Sequence, residues 1–184
     1  VKKVRGGGEQ EYPNPAALSN CIIALDIATR LNINPLMVMQ NLYVVEGRPS
    51  WSSSYIIAAI NVCNKYGSLH FEIRELEERD VEWTIKEWYD APNGKRATRE
   101  ITKKARIKDK ECIAWAIEKA TGERLESPPV SIGMAVAEGW YGKNGSKWQS
   151  MPELMLRYRA ASWFVRAYAP EIAMGLKTAE EVQD

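Results

Sequence analysis

The sequence predicts an α+β fold: a helical N-terminal part, an antiparallel β-meander, and C-terminal helices that include one long helix bearing arginines. Three observations carry the prediction. Apolar residues recur at three- and four-residue spacing near the start, as in Leu18, Ile22, Leu25 and Ala28/Thr29, and again between 150 and 170. In the middle, "LHFEIREL" (69–76) alternates apolar and polar residues, the period of a half-buried strand. Turn chemistry rather than long helical stretches separates the strand-like segments that follow.

The elements follow in order. Asn14–Pro15 supplies a capping side chain and a proline at the first helical turn, which predicts a helix to about Leu31. Asn34–Pro35 repeats the signal for a short helix carrying Leu36, Met37 and Met39. "NLYVVEGRPSW" reads as two short strands about a turn at Glu46–Gly47. Ser52–Ser54 start a helix through Ile56, Ile57, Ile60 and Cys63, with Gly67 as its stop. "APNGK" is a hairpin turn, because Asn-Gly readily takes positive φ. "ITKKARI" and "ECIAWAIE" read as two further strands with the charged run Lys108–Lys110 turning between them; the second fits a short helix equally well. Pro128–Pro129 breaks the chain, Ser131 starts a short helix, and Gly139–Ser146 is a glycine-rich basic loop. Ser150 is expected to cap the long helix and Pro170 to close it, and Thr178-x-x-Glu181 is a capping-box start for a last helix. Residues 1–12 are expected to be a flexible end and 13–184 one core domain, with 77–106 a candidate inserted hairpin.

Composition narrows the function classes. At 45% hydrophobic and 27% charged residues the chain is globular rather than disordered. A net charge of +1 advertises no polyanion partner for the chain as a whole, so any such signal is local. Gly139–Ala169 carries Lys143, Lys147, Arg157, Arg159 and Arg166 against Glu153 alone, while Glu72–Glu87 leans acidic. Seven Trp and eight Tyr against two Phe fit interfaces, and equally a Trp-rich core. Cys21, Cys63 and Cys112 are odd in number and far apart, which points to packing in a reducing compartment. A single His70 and no His/Cys cluster argue against a zinc site. No run is long enough to span a membrane and no signal peptide is visible, so a cytoplasmic location is expected.

The segment "MPELMLRYRAASWFVRAYAPE" is unusual for a surface helix. At about 100° per residue, Met151, Leu154, Met155, Tyr158, Ala161, Val165 and Tyr168 form one apolar stripe. Leu156, Ala160, Trp163 and Ala167 form a second, roughly opposite. Arg159 and Arg166 share one seam and Arg157 lies across from it. Such a helix is clamped between two bodies, and guanidinium groups in its seams need anions. Carboxylates of the chain itself are the ordinary partners; phosphates are the functional alternative, with Lys143, Lys147 and Trp148 completing a groove.

"SKWQSMPELMLRYRAASWFVRAYAPEI…GLKTAEEVQD" resembles the C-terminal core signature of the RecT and lambda Red β superfamily of phage single-strand annealing proteins. The matching positions are Trp148, Ser150, Pro152, Met155, Leu156, Arg157, Arg159, Ala160 and Arg166; upstream, Asn34, Pro35 and Tyr43 match a second, weaker block. The resemblance implies a non-catalytic protein, encoded by a phage or prophage in a bacterial host. It would bind single-stranded DNA, assemble into a ring or helical filament, and anneal complementary strands without ATP. It also implies that Arg157, Arg159 and Arg166 contact phosphates; Lys143, Lys147 and Trp148 join them on local charge and stacking chemistry. No cofactor is required on this reading, and magnesium is left open. An annealed duplex intermediate, a partner exonuclease and a host single-strand binding protein are the further partners implied.

Two other classes stay open. A metal-dependent phage nuclease would need carboxylates and a lysine converging on a metal, for which Glu72, Asp80, Glu82, Glu87 and Lys86 are available. A self-assembling structural protein without a nucleic-acid role would instead set the arginines against a neighbour's acidic region.

Overall fold

Glu46 and Gly47 both hold positive φ, at 51° and 79°, and this tight turn joins β3 (Leu42–Val45) to β4 (Arg48–Trp51), as the sequence predicts. The computed structural model describes residues 2–3, 9–10, 15–90 and 96–184, with side chains from 17 onward. By contacts it divides into two units, Val1–Ser50 and Trp51–Asp184.

In the first unit, β1 (Lys2–Lys3) and β2 (Glu9–Gln10) pair antiparallel, within the stretch expected to be flexible. Helix α1 (Pro15–Leu31) ends in an Asn32 at φ 53°, and the amides of Asn32 and Ile33 return to the carbonyls of Thr29 and Ala28. The Asn14 cap lies outside the described residues. In α2 (Pro35–Asn41) the Asn34 side chain accepts the Leu36 N–H at 2.8 Å. One expectation changes here. The face of α1 that is buried holds Ala24 and Ala28, while Leu18, Ile22 and Leu25 are exposed.

The second unit is built on one long hairpin. Strand β5 (His70–Asp90) pairs antiparallel with β6 (Arg96–Ile117) from His70↔Trp115 to Asp90↔Arg96, with a bulge between Glu75 and Glu78. The APNGK turn itself lies outside the described residues. The base of β6 also pairs with β7 (Arg124–Glu126) and β8 (Val130–Ser131), so the sheet is four-stranded only at that end.

Lys108–Lys110 does not turn; it is the middle of β6, and "ECIAWAIE" is strand. The cause is Asp109, which is fully buried. Its Oδ1 accepts the backbone N–H of Gly133, in the first turn of α4 (Ile132–Ala137), and of Lys110, both at 2.9 Å. Its Oδ2 lies 3.0 Å from Arg79 Nε, a charge contact without hydrogen-bond geometry. Gly133 is required at that point, since a Cβ there would come within 2.7 Å of both partners.

Helix α3 (Ser53–Val62) is capped by Ser52, whose oxygen accepts the Tyr55 N–H at 3.1 Å. It stops at Cys63, before Gly67; the Gly67 N–H instead donates to Ile117 at the sheet's edge. Ser150 does not cap the long helix. It ends α5 (Lys147–Ser150), which Ser146 caps, and α6 (Pro152–Tyr168) begins on its own proline without a side-chain cap. Pro170 opens α7 (Pro170–Ala173), and the predicted capping box of Thr178 and Glu181 starts α8 (Ala179–Gln183).

Helix α6 is the centre of this unit. It packs on β6 and β8 on one side and on α3, α5 and α7 on others, so the middle of each apolar stripe is buried within one chain while Met151 and Ala167 at the ends stay exposed. Leu156, Ala160, Ala161, Phe164 and Val165 join Trp51, Ile56, Ile60, Tyr66 and Val130 in the core. Tyr66 meets Phe164 edge-on at 5.8 Å and donates its hydroxyl to the Tyr168 carbonyl. Among the described residues, no helix is long and apolar enough to cross a membrane.

Candidate nucleic-acid interface

The arginine seam is closed by the chain itself. Because α6 is buried on several sides, Arg159 is only 8% exposed. A guanidinium stays charged in such a place and must be paired. Its partners come from α8: Glu181 Oε1 at 3.4 Å from Nη1, and the Asp184 carboxylate on Nη2. The Trp140 ring lies 4.0 Å below the guanidinium carbon, a cation–π contact. Arg166, half-exposed, donates to Glu181 Oε2 at 2.6 Å. The same oxygen accepts from the Ser162 hydroxyl and from the Thr178 amide and hydroxyl.

Two of the expected contact residues are engaged within the chain. Arg159, nearly buried, ties α6 to Glu181 and Asp184. Trp148 is fully buried, with its Nε1–H donating to Asp184 Oδ1 at 3.1 Å and its ring 5.6 Å from Trp140. Arg166 is reachable but shares Glu181. Arg157 is exposed, on the side of α6 that faces Glu153 and Cys112. Burial pushes the Cys112 thiol up to about 11 despite that guanidinium, so it is no nucleophile. The Lys110 ammonium, hydrogen-bonded at 2.8 Å, holds the Glu153 carboxyl below its ordinary range.

Lys143 and Lys147 are exposed like Arg157 and Arg166, and lie on the glycine-rich loop before α5 and on its first residue. The loop has a cleft on either side. The smaller, about 280 Å³, lies toward α8 and is lined by Trp140, Lys147 and Glu180. The larger, about 550 Å³, lies between the loop and the hairpin. Lys143 and Gly145 border both.

The larger cleft contains residues that sequence reasoning passed over. Trp83 and Lys103 stand opposite each other in the hairpin register, and Lys86 and Trp88 border the same space. Tyr141 meets Trp83 edge-on at 5.1 Å. Gly142 lies against that indole so closely that a Cβ would come 2.7 Å from Trp83 Cδ1. The signal was in the sequence, since pairing Asp90 with Arg96 sets Trp83 against Lys103 by counting.

Several hairpin carboxylates are paired with cross-strand cations. Glu82 meets Lys104, Glu87 meets Arg99 at 2.7 Å, and Glu78 meets Arg106 at 3.0 Å. Glu72 accepts from Arg74 and Arg124, and these bonds hold its carboxyl below the ordinary value. Among the described residues no three metal-ligating side chains come together. Comparison with known proteins adds no family: no family model, no curated protein and no solved structure matches the chain.

Proposed function

We propose that the protein binds single-stranded DNA and promotes annealing of complementary strands without ATP, as a phage-type recombination protein. One observation carries the reading beyond the sequence resemblance. The basic loop 139–146 presents Lys143 between two clefts, Lys147 borders the smaller one, and Lys86 and Lys103 border the larger from the hairpin. Among the described residues, none of these four lysines has a carboxylate within 4.0 Å, whereas Arg159, Arg166 and most hairpin arginines do. Unpaired cations beside aromatic rings suit a strand held by its backbone, which leaves base edges free to find a complement. The cytoplasm of a bacterial host is the compartment that goes with this activity. Magnesium is optional in this scheme.

Assembly into a ring or filament belongs to the same proposal, with the exposed face of Leu18, Ile22 and Leu25 on α1 in support. A change of Ile22→Glu is expected to shrink the assemblies seen by sedimentation.

The test is annealing of two complementary fluorescent oligonucleotides at low salt, without ATP. The native chain should accelerate it, and Lys143→Ala/Lys147→Ala should lose most of the acceleration with its melting temperature unchanged. A native chain that neither binds a single strand nor speeds annealing overturns the proposal. Cleavage of the oligonucleotides with magnesium would put the nuclease reading in its place.

A further inference from the structure

We infer that the cleft between the hairpin and the glycine-rich loop is a built nucleotide site, which takes one phosphodiester on the loop and its base on Trp88. The inference rests on the single-strand reading and adds where and how one unit of the strand is fixed.

The phosphate side is the loop. Among the described residues, the backbone N–H groups of Gly142, Asn144 and Gly145 have no acceptor in the chain, while Lys143 closes the turn at 141–142. Unpartnered loop amides beside a Lys favour an anion. Lys143 Nζ reaches only a backbone carbonyl, that of Gln183 at 3.1 Å, so its charge is uncompensated. Lys103 faces it from β6 and Lys86 from the edge of β5, likewise without carboxylate partners. The one carboxylate lining the cleft, Glu87, is already held by two hydrogen bonds from Arg99 at 2.7 and 3.0 Å.

The base side is aromatic. Trp83 forms part of the wall, and its Nε1–H is buried with no acceptor. Trp88 stands at the rim, 67% exposed on a two-stranded ribbon where no core demands an indole. A flat ring next to an anion cradle is the arrangement that stacks a base while its phosphate is held. The volume, about 550 Å³, is within the range of small-ligand sites.

The experiment uses the full chain and a thymidine oligonucleotide carrying one 5-iododeoxyuridine, irradiated and mapped by peptide mass spectrometry, with affinities from fluorescence anisotropy. The expected crosslink is at Trp88 or Trp83. Trp88→Ala should weaken binding roughly tenfold without changing its salt dependence, and Trp88→Phe should restore it. Lys103→Ala should reduce the slope of log affinity against log salt by about 0.7. Crosslinks only outside the cleft, or native affinity in Trp88→Ala, overturn the inference and leave the annealing function standing. Absence of any binding by the native chain removes both.

Discussion

The arginine seam of α6 and the lysine-lined cleft beside the hairpin hold the same kinds of residue, cations against tryptophan, and meet opposite fates. In the seam, Arg159 lies on Trp140 and is closed off by Glu181 and Asp184. In the cleft, Lys103 and Lys143 lie near Trp83 and Trp88 with no carboxylate to close them. A cation beside an aromatic ring does not distinguish a structural clamp from a binding site. What distinguishes them is whether the chain supplies the counter-charge, and the comparison can be broken or sharpened at that point.

The largest effect is expected from Arg159→Ala. It would leave the nearly buried Asp184 carboxylate without its cation and Glu181 with Arg166 alone, a loss of about 3–5 kcal/mol for breaking a buried pair. Lys103→Ala and Lys143→Ala, at surface positions without such partners, should stay within about 0.5 kcal/mol. Urea unfolding of the three variants checks this directly. Equal stabilities would mean that the seam is no clamp.

Next in size is Gly142→Ala, which sharpens the other half of the comparison. The added Cβ would collide with Trp83, a rigid ring rather than a flexible chain end. Overpacking of this kind costs about 1–3 kcal/mol. The loop would have to lift from the hairpin, so single-strand affinity should fall with stability, whereas Arg159→Ala should lower stability with affinity per folded molecule retained.

How much of this was legible follows from where the information lies. Helix starts were readable because a cap is local: Asn34, Ser52, Ser131 and Thr178 each bond a backbone amide two or three residues on. The long hairpin was misread at Lys108–Lys110 because a ribbon exposed on both faces carries charges as a loop does, and the exception, Asp109, is explained only by Gly133, far along the chain. The two stripes of α6 were legible, but not that its own unit covers the middle of each, Met155, Ala161 and Val165 on one and Leu156 and Ala160 on the other. The periodicity of Arg159 gave its seam; its partners, Glu181 on α8 and Asp184 just after it, lie 22 and 25 residues away and came from tertiary structure. Trp148, similarly, was read from its basic neighbours and proved to be core.

A smaller effect is expected along the hairpin. Glu82→Lys would replace its pairing with Lys104 by a repulsion directly across the strands, worth about 0.2–1 kcal/mol. Because this part of the ribbon is two-stranded, the change should show as faster amide exchange over 77–90 and 96–108 rather than as a lower global melting temperature. A large drop in melting temperature would mean that the ribbon, like the seam, is integral to the core.

The smallest effect is the acid response of Glu72, which lies between the two extremes: paired like the seam, exposed like the cleft. Hydrogen bonds from Arg74 and then Arg124 lower its carboxyl in the folded state. The folded state therefore binds that proton less readily than the unfolded chain does. The stabilisation is present above the ordinary carboxylate value and is lost as pH falls through the lowered one. Water screens an exposed group, so unfolding followed between pH 5 and pH 3 should be only slightly less steep in Glu72→Gln than in the native chain. A native-like stability in Glu72→Gln at neutral pH, together with a collapse in Arg159→Ala, would show that burial rather than the number of ion pairs decides which charges hold the fold.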